Sequence, residues 1–172
     1  MPQKHKPRIY AFIDSQNLNL GVRDLGWKLD FKKFFIYLKD KYKISKAFLF
    51  IGYLYSNQKL YRSLKRWGYD LVYKPAIRFN KISIKGNIDA ELVLHAAKIQ
   101  YVNYDKAIIV SGDGDFFCLH EELEKDKKLY KIMAPSRKSE SSLLKRFRKY
   151  KLYVEDIRPK VELKPKKMEA SH

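Results

Sequence analysis

Short, nearly continuous apolar runs alternate along this chain with longer stretches whose apolar residues recur at helical spacing. Arg8–Ile13, Ala47–Ile51, Leu71–Tyr73, Ala107–Val110 and Leu129–Met133 read as strands. Runs with so little polar interruption belong to strands buried on both faces of a parallel sheet. Between them, Phe31–Tyr42 carries Phe31, Phe34, Phe35 and Leu38 on one stripe, with Asp30 in the N-cap position. Gln58–Trp67 turns Leu60, Leu64 and Trp67 inward and meets Gly68, a suitable C-terminal cap. Gly86-Asn87 opens a helix to about Tyr101, on which Ile88, Leu92, Ala96 and Ile99 share a face. Further helices are expected from Phe116 to about Lys125 and over Ser141–Tyr150. Residues 75–86 read as a loop or a short hairpin through Ile82 and Ile84, and Leu152–Ile157 as a last edge strand. This alternation predicts an α/β fold with a central, mostly parallel sheet in the order 3-2-1-4-5 and helices on its faces. One domain is expected over residues 1–157, and a solvated, Pro- and Lys-rich tail over 158–172.

Charge changes the picture more than any other bulk property. The 172 residues include 37 Lys+Arg against 19 Asp+Glu, a formal net charge of +18. Such a field attracts polyanions, nucleic acid first and an anionic membrane surface second, although a basic chain need not have either partner. Cys118 is the single cysteine, which excludes an intrachain disulfide and a cysteine-based zinc site and fits a reducing compartment. Its apolar neighbours predict an inert, buried thiol. The apolar run Ile9–Ile13 is too short for a signal-peptide core, and no stretch has the length of a membrane span. A soluble, cytoplasmic protein without membrane attachment is expected.

Four aspartates fall where an α/β sheet places its chemistry. Asp14 ends the first strand, Asp113 and Asp115 follow the fourth, and Asp89 lies in the first turn of the helix leading into that strand. Open α/β sheets bind ligands outside the carboxyl ends of their strands, where strand order reverses. Carboxylates gathered there repel one another and require a cation, and an all-oxygen donor set suits Mg²⁺ or Mn²⁺. Such a metal assists phosphodiester hydrolysis by acidifying water and neutralising phosphate charge. Each residue also has a purely structural role open to it: an Asx turn for Asp14, a first-turn carboxylate for Asp89, an N-cap for Asp115.

Three stretches, in order, resemble the NYN family of PIN-like nucleases in its LabA-like branch: Phe12-Ile13-Asp14-Ser15-Gln16-Asn17-Leu18, Lys85-Gly86-Asn87-Ile88-Asp89 and Val110-Ser111-Gly112-Asp113-Gly114-Asp115-Phe116. The family often has glycine where this chain has Ser15. The resemblance implies a PIN-like three-layer α/β/α sandwich and a metal-dependent ribonuclease. It makes Asp14, Asp89 and Asp113 the metal-site acids with Asp115 beside them. Asn17 would orient Asp14 or a water, and Ser111 would support the acids through hydrogen bonds.

For substrate, the basic helix with Lys59, Arg62, Lys65 and Arg66 and the region with Arg137, Lys138, Lys145, Arg146, Arg148, Lys149 and Lys151 would hold phosphates. Lys85, just before Asp89, would stand nearest the reacting phosphate. Tyr53, Tyr55, Phe79 and Tyr150 are interleaved with these charges, as stacking partners for unpaired bases or as ordinary core aromatics. RNA that is single-stranded, or structured with unpaired bases, is the expected partner. The function expected is endoribonucleolytic. A non-catalytic RNA-binding module that keeps the acidic pocket, and a phosphatase of small esters, are the alternatives. His5, His95, His120 and His172 show no metal-ligand spacing, His95 reading as a structural or partly exposed histidine.

Overall fold

The computed structural model describes residues 5–74, 78–79, 82–83 and 88–166. The strands of the main sheet are β1 (Ile9–Asp14), β2 (Lys46–Gly52), β3 (Tyr69–Lys74), β6 (Lys106–Val110), β7 (Leu129–Ala134) and β8 (Lys151–Tyr153). The two-residue strands β4 (Arg78–Phe79) and β5 (Ile82–Ser83) pair antiparallel as a separate ribbon, within the segment expected to hold a loop or hairpin; Ile84 lies outside the described residues. The main sheet has the order β3-β2-β1-β6-β7-β8, and every pairing in it is parallel. Counting only these strands, that is the expected 3-2-1-4-5 with a sixth strand added at the edge.

Successive residues of a strand point to opposite faces, and the core divides accordingly. Ala11, Ile13, Leu49, Ile108, Val110 and Met133 face one layer, where Leu18, Val22, Phe34, Leu38, Tyr61 and Leu64 complete the packing. That layer contains α1 (Ser15–Arg23), α2 (Phe31–Tyr42) and α3 (Gln58–Trp67). Tyr10, Phe12, Phe48, Phe50, Ala107 and Ile109 face the other, which holds α4 (Ile88–Leu94) and α5 (Phe117–Lys125). All six residues of β1 are buried, as a strand covered on both sides must be.

Several elements differ from the sequence reading. Helix α1 was not expected, because Asn17, Asn19 and Gly21 are poor helix formers. It forms on an Asp14 cap, whose side chain accepts the Asn17 N–H, and on the burial of Leu18 and Val22. The helix expected to reach Tyr101 is α4 up to Leu94, continues as a π turn over His95–Ile99 and ends in a 3₁₀ turn. Residues Ser142–Tyr150 form a 3₁₀ segment broken by non-helical backbone at Phe147. The expected caps of α2 and α3 are present: the Asp30 side chain accepts the Lys33 N–H, and Gly68 takes φ 113°, a conformation costly for other residues.

Two local expectations are corrected. Arg158–Val161 is not solvated tail but a short helix, α6, and Val161 is fully buried in the core beside α2. Leu29 and Glu162 form an antiparallel bridge just beyond it. The apolar Val161 supplies the burial that the surrounding Pro and Lys residues obscure. Cys118 is exposed, because α5 turns Leu119, His120 and Leu123 inward and leaves Cys118 on its outer face.

Candidate metal centre

The chain runs from β1 outward through β2 to β3, then returns to the other side of β1 for β6, β7 and β8. Strand order therefore reverses between β1 and β6, and the loops after these two strands open a crevice at their carboxyl ends. Asp14 stands at the end of β1, and Ser111-Gly112-Asp113 follows β6. A network of hydrogen bonds ties the two loops together. Asp14 Oδ1 accepts the Asn17 backbone N–H at 3.1 Å, and Ser111 Oγ donates to Asp14 Oδ2 at 3.4 Å. Asn17 Oδ1 accepts the Gly112 N–H at 2.8 Å, and Ser111 Oγ accepts the Asp113 N–H at 3.1 Å.

Asp113 is also the cap of the 3₁₀ turn Gly114–Phe116, its Oδ1 accepting the Asp115 N–H at 2.9 Å. The capping role considered for Asp115 thus belongs to Asp113, and Asp115 is left exposed with its carboxylate free to turn toward the crevice. Gly114 is required by close approach, since a Cβ there would collide with the Ser141 side chain.

Asp89, in the first turn of α4, reaches the crevice from the side. Carboxylate oxygens of Asp89, Asp113 and Asp115 lie within 4.8 Å of one another, the spacing of groups that share one cation. Asp14 is outside that triple, buried behind it at 5% exposure. Burial foremost, and then the charges of Asp89 and Asp113, push its carboxyl up to about 6, against the opposing hydrogen bonds of Asn17 and Ser111. The Asp89 carboxyl is raised too, first by burial and then by Asp113 and Asp115, and Lys74 counteracts this. Among the described residues, the centre therefore carries more negative charge than its surroundings neutralise. An all-carboxylate oxygen set with that imbalance fits a hard divalent cation.

A family model for the NYN domain matches residues 8–154. The chain belongs to the NYN domain family. NYN domains form part of the PIN-like nuclease superfamily, and the six-stranded parallel order with helices on both sides fits the PIN-like fold. A crystal structure of a protein of unknown function from Vibrio parahaemolyticus is similar to this NYN chain, with a TM-score of 0.78 and 24% identity. The similarity covers 95% of this chain and 100% of that one, and it shows a shared fold. No curated protein matches the sequence.

The other residues singled out in the sequence are distributed unevenly around this NYN centre. Lys85 lies outside the described residues, as does the side chain of Phe79. Lys59, Arg62, Lys65 and Arg66 are exposed on α3. Arg137 is paired with Glu155 and Asp156, Arg146 with Glu121 and Glu124, Lys149 with Glu124, and Lys151 with Glu140. His95 is half-buried and packs edge-on against Phe50. Lys74, at the end of β3 and acting on Asp89, escaped the sequence reading because nothing around it marks a motif. No described helix is long and apolar enough to cross a membrane.

Proposed function

We propose that this NYN domain is a metal-dependent endoribonuclease of the LabA-like kind, using Mg²⁺ or Mn²⁺ to hydrolyse RNA phosphodiester bonds. The observation that carries the reading is the convergence of Asp89, Asp113 and Asp115, backed by buried Asp14, at the switch point of the sheet. Asp89, Asp113 and Asp115 would hold the cation. When bound, it would stabilise charge on the phosphate and make water a better nucleophile.

The chain's own residues set the geometry. Asn17 and Ser111 fix Asp14 and the Gly112–Asp113 backbone, and so hold the ends of β1 and β6 in register beneath the acids. Asp14 adds negative charge behind the triple and strengthens its demand for a cation. The net charge of +18 draws a polyanion toward a centre that would otherwise repel phosphate.

Purified protein incubated with labelled RNA, with Mn²⁺ or Mg²⁺ and then with EDTA, tests the reading. Metal-dependent cleavage abolished by EDTA is the expected result. Binding without cleavage under every metal would leave an RNA-binding module, and turnover of small phosphate esters alone would leave a phosphatase.

A further inference from the structure

The two basic surfaces seen in the sequence are not equivalent. Around residues 137–151, Arg137, Arg146, Lys149 and Lys151 are each paired with Glu or Asp side chains, and only Lys138, Lys145 and Arg148 are exposed without such a partner among the described residues. Among the described residues, none of the four cations of α3 forms an ion pair, and all four are exposed. An exposed cation without an acidic partner is free to exchange its counterion for a phosphate.

A cluster of aromatic residues also lies on the α3 side. Tyr53, Tyr61 and Tyr73 pack against one another at the carboxyl ends of β2 and β3, with centroid separations of 5.1–5.7 Å. The Tyr61 hydroxyl donates to the Gly52 carbonyl at 3.0 Å and accepts the Leu54 N–H at 2.7 Å. Gln58 Nε2 donates to the Tyr53 hydroxyl at 2.6 Å. These bonds hold the turn that follows β2, and that turn presents Tyr55, 82% exposed, to solvent. A large ring kept in water on a braced turn is costly to display and suited to stacking on a base. Lys65 lies 5.7 Å from the Tyr73 ring and joins the aromatic group to the helix. At the other end, the Lys74 carbonyl accepts the Tyr53 N–H at 3.2 Å, and β3, which ends at Lys74, packs against α4, the helix that carries Asp89. Through β3, the α3 surface thus adjoins the helix that carries Asp89.

We propose that the carboxyl ends of β2 and β3, with the outer face of α3, form a ledge for single-stranded RNA, an unpaired base stacking on Tyr55 and the phosphates resting on the α3 cations. This rests on the ribonuclease reading of the adjoining centre and gives it a substrate class and a direction: the strand leaves the acids over β2 and β3, not over residues 142–150. A duplex keeps its bases stacked inside and has none to offer Tyr55.

The test is fluorescence anisotropy in EDTA, with a short labelled single-stranded RNA and a duplex of the same sequence, over a range of salt. Wild type is compared with Tyr55→Ala and with the double variant Arg62→Gln, Lys65→Gln. The charge-matched control is Lys39→Gln, Lys41→Gln, exposed on the end of α2 that leads into the amino end of β2. Circular dichroism checks each fold. Tyr55→Ala is expected to weaken single-strand binding about tenfold and to leave duplex binding alone. The α3 double variant is expected to lower the slope of log affinity against log salt by about 0.7 for each phosphate it no longer neutralises. The control is expected to change neither. Equal binding by Tyr55→Ala and wild type, an equal loss in the control, preference for duplex, or no binding by wild type would each overturn the ledge. Cleavage with Mn²⁺ is followed in parallel. Wild type that binds as expected without cutting overturns the nuclease reading and leaves the ledge standing. Wild type that cuts, with the Tyr55 and α3 variants binding like it, overturns the ledge alone.

Discussion

Asn17 Oδ1 accepts the backbone N–H of Gly112 at 2.8 Å and so links the start of α1 to the loop after β6, across 95 residues of sequence. Gly112 is buried, so its N–H has no ready substitute for this partner. Asn17→Ala is expected to cost about 1–3 kcal/mol, the penalty for a buried donor left unsatisfied. It is also expected to lower cleavage about 10–100-fold, as losses of groups that orient metal ligands do. Thermal melting and single-turnover cleavage measure the two effects. A variant that melts and cuts like wild type would show that the link is dispensable.

Asp113→Asn keeps the oxygen that accepts the Asp115 N–H but removes one negative charge. The fold is expected to survive, with an unchanged or slightly raised melting temperature in EDTA because the carboxylates repel less. Cleavage is expected to fall by orders of magnitude, since water activation and charge stabilisation are lost together. RNA affinity is expected to stay near that of wild type. Wild-type products are expected to carry 5′-phosphate and 3′-hydroxyl ends, the outcome of water attack at phosphorus. Cyclic-phosphate ends, which arise from attack by the RNA 2′-hydroxyl, or wild-type rates in the folded variant, would rule this chemistry out.

A cation held by the folded protein and not by the unfolded chain raises stability by mass action. At about 100 times its dissociation constant, Mn²⁺ or Mg²⁺ is expected to add about 2.7 kcal/mol. The rise in melting temperature on titration is expected in wild type and lost in Asp89→Asn and Asp113→Asn. Equal stabilisation of all three by metal would place the binding elsewhere.

Two buried groups give the metal-free protein opposite responses to pH. Asp14 has its carboxyl pushed up to about 6, from an unfolded value near 3.8, chiefly by burial. Between those values the folded state binds more protons, so Asp14 makes stability rise as pH falls. His120 is fully buried, neither ring nitrogen has a hydrogen-bond partner, and burial pulls it down to about 4 from about 6.5. There the unfolded state binds more protons, so His120 makes stability fall as pH falls. Each effect amounts to about 3 kcal/mol over its whole window. Wild type in EDTA is therefore expected to vary little between pH 6 and 4. Relative to it, Asp14→Asn is expected to be more stable at pH 7 and to lose that advantage on acidification. His120→Leu is expected to gain an advantage over the same range. Melting curves that shift in parallel at every pH would contradict both assignments.

The sheet was legible because its strands are apolar runs ending in recognisable residues, Asp14 after β1 and Ser111-Gly112-Asp113 after β6. Strand order followed from the alternation of elements. Helix α1 was not legible, since its Asn and Gly residues oppose helix formation and tertiary burial of Leu18 and Val22 decides the matter. Within the centre, motif spacing pointed to four aspartates at one sheet edge but not to their arrangement. Asp115, which had a capping role open to it, is inside the close triple, and Asp14 is behind it. Which cations remain free could not be read at all, because Arg146 meets Glu121 and Glu124 only after the chain has folded.

Strand β8 closes one side of the sheet with only Lys151–Tyr153, after which the chain bends into a 3₁₀ turn at Val154. An open sheet edge is a template on which a second chain can add a strand. Three residues offer too few backbone groups to hold such a guest, and the Arg137–Asp156 pair crowds the approach with charge. A protein with a large positive excess already keeps its copies apart in dilute solution. The short edge extends that protection to the distances at which like-charge repulsion would be overcome, so this side of the molecule is expected to resist fibrous aggregation even at high salt.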